Sequence, residues 1–444
     1  MLRLETGLTL FAVATLLTFS PTQAAGQERT TAIKAGVLID GTGVAPIKNA
    51  VILVQGKRIV KVGSNLAIPA GADVLDLSAN TVMPGFIDCH THLTSQNGSE
   101  RTVDRMSSTG ADFSLVGAIN ARRMLMAGFT TVRDLGSTGF ADLAVKRAIE
   151  RGDYAGPRMY VSLFIISATG GHGDPTDGDN AFIEVTSPNG VANGVDALRT
   201  KVRWLVKYGA DQIKFSSTGG GLSKGDKPTA QQYSEEEMRA LIDEAHRLGV
   251  KVATHAHGTE GIKTAVKAGV DSVEHGIYLD EEACRLMLEH GTYYVPTLWI
   301  VDAYFDRYKI WKIPDFANEK ISHFIPYAKK SADLAFKMHV KVALGTDAGV
   351  GEHAFAGKEF AAYVNHGMKP MDAIVAGTSN AAKLIGHYED FGSVEPGKFA
   401  DIVAVDGDPL EHIQTLEAVS FVMKEGKIYK HEGKPAADQR TSTR

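Results

Sequence analysis

Between residues 83 and 390, short apolar runs typical of buried strands alternate with amphipathic helical patterns. One helix shows how clear these patterns are: Ser234 and Glu237 form a capping box, apolar residues follow on one face, and Gly249 ends the helix. Such alternation predicts parallel strands connected by helices. The predicted strands cover residues 86–90, 130–134, 159–164, 212–215, 250–254, 272–274, 293–296 and 341–345.

Eight strand–helix units of this size favour an α/β fold closed into a (β/α)8 TIM barrel. An open, doubly wound sheet is the structural alternative. It is less natural here, because no glycine-rich nucleotide fingerprint lies near the first predicted strand.

Shorter strands and turns flank the barrel region on both sides. Residues 26–82 and 391–432 each contain strand-like runs, but neither segment alone is long enough to bury much core. We therefore predict that the two segments share one small β-sandwich domain beside a barrel of residues 83–390. Residues 433–444 are then a tail.

The N-terminus has the layout of a secretory signal peptide. Arg3 precedes an apolar run over residues 8–19, and small residues follow up to Ala25, although Glu5 weakens the basic start. The run is too short for a comfortable membrane span, and an uncleaved anchor is the alternative. We expect residues 1–25 to be removed and the protein to be secreted or periplasmic.

Composition excludes some classes of partner. The net charge is −5 and no long basic run occurs, which argues against nucleic acid or a membrane surface as the partner. The only two cysteines, Cys89 and Cys284, cannot form a disulfide framework for a chain of this size. Cys89 fits a small apolar filler within a buried strand.

The first predicted strand ends in two histidines, His90 and His92. Residues two apart on a strand point to the same side, so the two imidazoles share a face. Neutral imidazoles on a rigid strand form half of a site for a metal such as zinc. Taken alone, two hydrogen-bonded histidines explain the pair equally well.

Further ionisable residues follow at the C-terminal ends of other predicted strands, where barrel enzymes place their catalytic groups. These residues are Lys214, His255, His275 and Asp347. One such histidine is commonly a core residue, but packing does not explain the whole set. We predict one metal bound by His90, His92 and Asp347, and a second bound by His255 and His275.

Lys214 needs its own explanation, because an ammonium group beside two metals is repelled. A buried lysine readily loses its proton. The neutral amine can then react with carbon dioxide to give a carbamate, whose two oxygens can bridge two metals. The alternative is a lysine that pairs with a carboxylate or binds an anionic substrate.

Together these residues resemble the binuclear branch of the amidohydrolase superfamily. The runs at 127–134 and 392–402 look like that family's second strand and its return to the small β domain. The runs at 212–214 and 169–174 are most similar to the imidazolonepropionase-like group. That group includes metal-dependent Xaa-Pro dipeptidases, carboxypeptidases and ochratoxin-hydrolysing amidohydrolases.

The resemblance implies two divalent metal ions, expected to be Zn²⁺, and a carbamylated Lys214. It also implies a homo-oligomer. The residues implied as metal ligands are His90, His92, Lys214, His255, His275 and Asp347, and those implied as substrate contacts are His172, His257 and Tyr233. A hydrophobic staple under the following helix is the alternative role for Tyr233.

We therefore expect a zinc-dependent hydrolase that cleaves the amide bond of an N-acyl amino acid or dipeptide with a free carboxylate, including ochratoxin-like aromatic amides. A metal-bridging hydroxide would attack the carbonyl, with Asp347 as general base and then acid. His172 or His257 would stabilise the oxyanion and so take part in catalysis. The alternatives are a cyclic amide hydrolase of imidazolonepropionase or dihydroorotase type, and a non-catalytic secreted metal-binding protein.

The aromatic segment 299–316 fits two roles equally well. It can line a pocket for a bulky apolar acyl group, or it can cover an interface in an oligomer.

Overall fold

The computed structural model describes residues 29–95, 108–176 and 189–436. The predicted signal peptide and residues 437–444 of the predicted tail lie outside the described residues. In chain order the described strands are β1 (Thr30–Leu38), β2 (Ile47–Gln55), β3 (Arg58–Ser64), β4 (Asp73–Pro84), β5 (Phe86–Thr91), β6 (Phe129–Asp134), β7 (Arg158–Val161), β8 (Gln212–Ser216), β9 (Lys251–Ala256), β10 (Ser272–His275), β11 (Tyr293–Val295), β12 (Ile402–Asp406), β13 (Phe421–Lys424), β14 (Lys427–His431) and β15 (Lys434–Pro435).

Helices connect strands β5–β11 and lie in the chain between β11 and β12. They are α1 (Gly110–Met126), α2 (Ala141–Glu150), α3 (Val195–Tyr208), α4 (Glu235–Arg247), α5 (Thr259–Lys267), α6 (Glu281–His290), α7 (Leu298–Asp302), α8 (Tyr304–Arg307), α9 (Asp315–Lys337), α10 (Lys358–Asn365), α11 (Pro370–Val375) and α12 (Ala381–Ile385). The predicted capping box begins α4, where the Ser234 side chain accepts a hydrogen bond from the Glu237 backbone N–H at 3.3 Å. The helix stops before Gly249, whose φ of 79° favours glycine.

The predicted barrel is confirmed. Strands β5–β7 form one parallel group and β8–β11 form a second. A parallel bridge between Ile166 and Phe215 joins the two groups. At the other side, the segment 341–348 bridges β11 through Val342 and returns to β5 through Ala348, which closes a ring of eight parallel segments.

The eighth segment differs from the regular strand predicted at 341–345. Its Leu344 carbonyl accepts a hydrogen bond from the Cys89 N–H of β5 at 2.8 Å. The Leu344 N–H, however, donates to the Ala376 carbonyl at 2.9 Å, outside the barrel wall. Because this donor is used elsewhere, the segment is extended but does not form a regular ladder.

The predicted small β domain is also confirmed. The order of strands in its sheet is β15-β14-β13-β12-β4-β1-β2-β3, so both ends of the chain contribute. The parallel β1–β4 pair and the antiparallel β4–β12 pair join the two segments. Apolar side chains of β1–β4, β12 and β13 pack into one shared core.

Two further features bear on the expectations from the sequence. Cys89 and Cys284 are both buried and unpaired by any disulfide. Within the described parts of the chain, none of the helices combines the length and apolar character that crossing a bilayer requires.

Candidate metal centre

The six predicted metal ligands meet at the C-terminal ends of the barrel strands. His90 and Lys214 lie within β5 and β8 and are each 1% exposed. His255 lies in β9, His275 ends β10, and Asp347 follows the eighth segment. The structure therefore brings together residues that are up to 257 positions apart in sequence, from His90 to Asp347.

Asp347 lies at the middle of the first group of side chains. Its Oδ1 atom is 3.6 Å from His90 Nε2 and 3.4 Å from His92 Nε2. Ligand atoms of His90, His275 and Asp347 all lie within 4.8 Å of one another, a spacing that suits a common metal ion.

The position of His275 bears on how the ligands divide between two metals. Its ring centroid is 4.8 Å from that of His90 and 4.8 Å from that of His255. The assignment of His275 to a second metal with His255 stays a prediction, because the ring is equally close to both histidines. His275 lies between the two groups.

Backbone strain directs two of these side chains into the site. His275 has φ 68° and Asp347 has φ 53°, which costs a non-glycine residue on the order of 1–3 kcal/mol. In a regular strand, neighbours such as Glu274 and His275 point to opposite faces. The left-handed conformation of His275 breaks this alternation, and both side chains face the barrel interior.

Hydrogen bonds fix the tautomers of three histidines. His90 Nδ1–H donates to Glu274 Oε2 at 2.8 Å, and His92 Nδ1–H donates to the Gly136 carbonyl at 3.1 Å. Thr297 Oγ1 donates to the Pro296 carbonyl, so it accepts from His275 Nδ1–H at 2.8 Å. Each ring therefore carries its lone pair on Nε2, the nitrogen that a metal would use.

His255 has the opposite arrangement. Its Nε2–H donates to the Gly219 carbonyl at 3.3 Å, which leaves the lone pair on Nδ1. This ring is thus held by the loop after β8, the strand that pairs with β9.

Glu274 is an orienting residue to which the sequence analysis gave no role. It is fully buried and accepts hydrogen bonds from His90, from Arg133 Nη2 at 2.8 Å and from Ser272 Oγ at 2.5 Å. The sequence contains an indication of this role. Arg133 and Glu274 each place a charge inside a short strand that is buried along its whole length, and charges are buried in this way only when they are paired.

Burial keeps the histidines of the site neutral. It lowers the pKa of His90, His255 and His275 well below the usual value, and neighbouring positive charge adds to the effect. Burial also lowers the pKa of His257, to about 3. Neutral imidazoles are the form that binds a metal ion.

Lys214 differs from the other predicted ligands, because its side chain is ordinarily a cation. Its Nζ atom is buried and has no hydrogen-bond partner among the described residues. Burial lowers the pKa of Lys214 to about 8, although the carboxylates of Glu274 and Asp347 oppose the shift. Burying a charged amine without a hydrogen-bond acceptor costs folding free energy. The site therefore favours the neutral form of Lys214 or a chemical modification of its amine.

Two of the three predicted substrate contacts lie beside these ligands. The ring of His172 stacks on that of His255 with centroids 3.9 Å apart. His257 is 4.4 Å from His255 by ring centroids, and its Nδ1 is buried without a partner in the described chain.

The third predicted contact, Tyr233, lies elsewhere. Its hydroxyl donates to the Ala192 carbonyl at 2.8 Å, and its ring packs near Phe215, which neighbours Lys214 on β8 but points to the other face. Tyr233 is only 3% exposed and belongs to the apolar core. The contacts favour the alternative interpretation, a structural residue beneath α4.

The aromatic segment 299–316 has a mixed character. Trp311 is fully buried and packs edge-on against Trp299 at 5.8 Å. Phe305 and Ile310, by contrast, are 59% and 62% exposed. One part of the segment therefore builds the core, while another part leaves apolar side chains at the surface.

The donor set suits divalent metal ions. Neutral imidazoles and a carboxylate are ligands for zinc and its neighbours among the transition metals. The unpartnered Lys214 nitrogen lies among them, and as a carbamate it would supply the missing negative charge. The residues present thus fit the two ions that the sequence predicts.

Comparison with known proteins gives the family to which this chain is similar. The sequence pattern of the Amidohydrolase family matches residues 81–429. Ochratoxinase of Aspergillus niger is 33% identical over 430 residues, covering 92% of this chain and 88% of that enzyme. A Xaa-Pro dipeptidase with methionine bound in its active site has a TM-score of 0.85 and 37% identity, covering 90% of this chain and 100% of its own. A prolidase complexed with N-methylphosphonate-L-proline has a TM-score of 0.84 and 32% identity, covering 90% and 100%.

Proposed function

The chain belongs to the amidohydrolase family, and we propose that it is a binuclear metal-dependent amidohydrolase that releases an amino acid from an N-acyl amino acid or dipeptide. The observation that carries the proposal is the convergence of imidazoles, Asp347 and the unpartnered Lys214 nitrogen at one end of the barrel. The proposed ligands are His90, His92, Lys214, His255, His275 and Asp347.

Lys214 is proposed to be carbamylated. Its lowered pKa supplies the neutral amine that reacts with carbon dioxide, and the product is a carboxylate-like group able to bridge two cations. The ions, proposed to be Zn²⁺, would when bound lower the pKa of a water molecule and polarise the amide carbonyl.

Asp347 is proposed as the general base and acid. Its side chain is 10% exposed, and its Oδ1 atom lies within 3.6 Å of two imidazole nitrogens. From this position it accepts the proton of the attacking water and returns it to the leaving amine.

His172 and His257 are proposed to contact the substrate and stabilise the oxyanion. Both rings lie beside His255. In its Nδ1–H tautomer, His257 has a donor without an acceptor, and a substrate oxygen would satisfy it.

The substrate class is proposed from the relatives. One of them holds methionine in its active site and another holds a phosphonate derivative of L-proline. Both ligands carry the carboxylate of an amino acid. We extend the proposed substrates to aromatic acyl groups, since ochratoxinase is also similar to this chain.

Three further proposals come from the sequence. Residues 1–25 act as a signal peptide, so the mature enzyme is secreted or periplasmic. The domain limits lie at residues 82/83 and 390/391. The enzyme forms a homo-oligomer, to which exposed side chains such as Phe305 and Ile310 would contribute.

A substrate panel on zinc-loaded protein tests the proposal. We expect turnover of N-acyl amino acids and dipeptides, and loss of turnover when the C-terminal carboxylate is amidated. Cleavage of lactams or imidazolones instead would establish the cyclic amide alternative. Zinc binding without turnover of any amide would support a non-catalytic metal-binding protein.

A further inference from the structure

The loop of residues 219–227, which follows β8 and is called here the glycine loop, contacts two imidazoles of the site. The Gly219 carbonyl accepts the hydrogen bond from His255 Nε2–H. Gly220 lies directly against the His172 ring, since a Cβ at position 220 would be 2.0 Å from His172 Nδ1. The absence of a side chain at Gly220 is therefore required for this arrangement.

Two polar side chains of the glycine loop fix the orientation of His172. Ser223 Oγ donates to Asp226 Oδ1 at 2.6 Å and lies 2.9 Å from His172 Nδ1. Because the hydroxyl has one proton and donates it to the carboxylate, its contact with His172 is one in which Nδ1–H donates. Asp226 thus sets the tautomer of His172 through Ser223.

Lys320 of α9 holds the glycine loop from outside the barrel. Its Nζ donates to the Ser223 carbonyl at 2.8 Å, to the Asp226 carbonyl at 2.5 Å and to Asp226 Oδ1 at 3.3 Å. The Asp226 and Lys320 side chains are only 7% and 21% exposed. On the same helix, Ile321 and Phe324 pack against Gly221.

We propose that Lys320, Asp226 and Ser223 are positioning residues that hold the glycine loop against His255 and His172. The inference rests on the proposed function and extends it in two ways. The loop backbone orients His255 for metal binding, whereas Ser223 orients His172 toward the substrate. The segment after β11 and the loop after β8 thereby act on the same centre.

Two variants test the orientation of His255 and the orientation of His172 separately. We expect Lys320→Met to lower the affinity for one zinc ion by roughly 10- to 100-fold, as loss of outer-shell support commonly does. We expect Ser223→Ala to keep zinc affinity and KM within about twofold but to lower kcat by on the order of 10- to 100-fold, as misplacement of a catalytic group does. Lys330→Met is the matched control, because Lys330 is an exposed lysine on the same helix.

The measurements are zinc titration against a competing chelator, steady-state kinetics and the melting temperature of each metal-free variant. Three results would overturn the proposal. The first is unchanged zinc affinity in Lys320→Met, and the second is an equal loss of zinc affinity in Lys330→Met. The third is a loss of zinc affinity or kcat that is fully explained by a lower melting temperature of the variant. If the wild-type protein binds zinc but cleaves no acyl amino acid, only the proposed substrate class fails, and the zinc titrations still decide the role of Lys320. If the wild-type protein binds no zinc, both proposals fail.

Discussion

Glu274 should support both metal binding and stability, and replacing it with Gln tests this directly. Its carboxylate is fully buried and accepts hydrogen bonds from His90, Arg133 and Ser272. The His90 contact orients a candidate ligand, and the Arg133 contact balances a guanidinium that is 1% exposed.

The size of each effect follows from these contacts. Loss of the group that orients a histidine ligand commonly weakens metal binding 10- to 100-fold, which is about 1.4–2.7 kcal/mol. Removing one partner of a buried ion pair leaves the other charge uncompensated and costs roughly 3–5 kcal/mol of stability. Glu274→Gln should therefore show both losses.

Arg133→Met is the matched variant, because it removes the cation but leaves Glu274 able to accept from His90. We expect a similar loss of stability but zinc affinity within about threefold of wild type. Chelator competition gives the affinity, and urea unfolding of the metal-free protein gives the free energy of unfolding. Wild-type zinc affinity in Glu274→Gln, or an equal loss of affinity in both variants, would refute the reasoning.

Three other substitutions have definite expected outcomes. Tyr233→Phe should cost about 1 kcal/mol of stability through the lost bond to Ala192 and leave KM unchanged, and a tenfold rise in KM would show a substrate role instead. Asp347→Asn should lower kcat on the order of 10²- to 10⁴-fold in steady-state assays, and near-normal kcat would exclude it as the base. Hydrogen bonds to two carboxylates, including Asp302, raise the pKa of His366 above 6.5. Its charged form therefore stabilises the folded state fully below pH 6.5, and this contribution is lost as pH rises through the raised pKa. His366→Gln should thus lower the melting temperature more at pH 6 than at pH 9, and an equal decrease at both would contradict the assignment.

The barrel could be predicted because its evidence is local. Seven of the eight predicted strands correspond to regular strands β5–β11, since apolar runs bounded by helices define them. The irregularity of the eighth segment could not be predicted. It depends on a hydrogen bond between Leu344 and Ala376, which only the folded chain brings together.

The same limit applies to the site. The positions of His90, Lys214 and Asp347 at strand ends could be predicted from strand order. The central place of His275 could not, because it follows from a left-handed backbone conformation at a residue that is not glycine.

Hydrogen bonds made by loop residues could not be predicted from the sequence either. The Gly219 carbonyl and Thr297 orient two histidines, and neither contact has a sequence pattern. Tyr233 shows the converse case, since a position next to a helix cap fits both a substrate contact and a core residue until the partner of its hydroxyl is known.

The central claim is a binuclear centre that depends on Lys214. Metal analysis of wild-type protein and the Lys214→Ala variant, each purified with zinc and bicarbonate, tests it most directly. The account predicts two zinc ions per wild-type chain, and loss of most bound zinc and of amide hydrolysis in Lys214→Ala. Two zinc ions and full turnover in Lys214→Ala would contradict it.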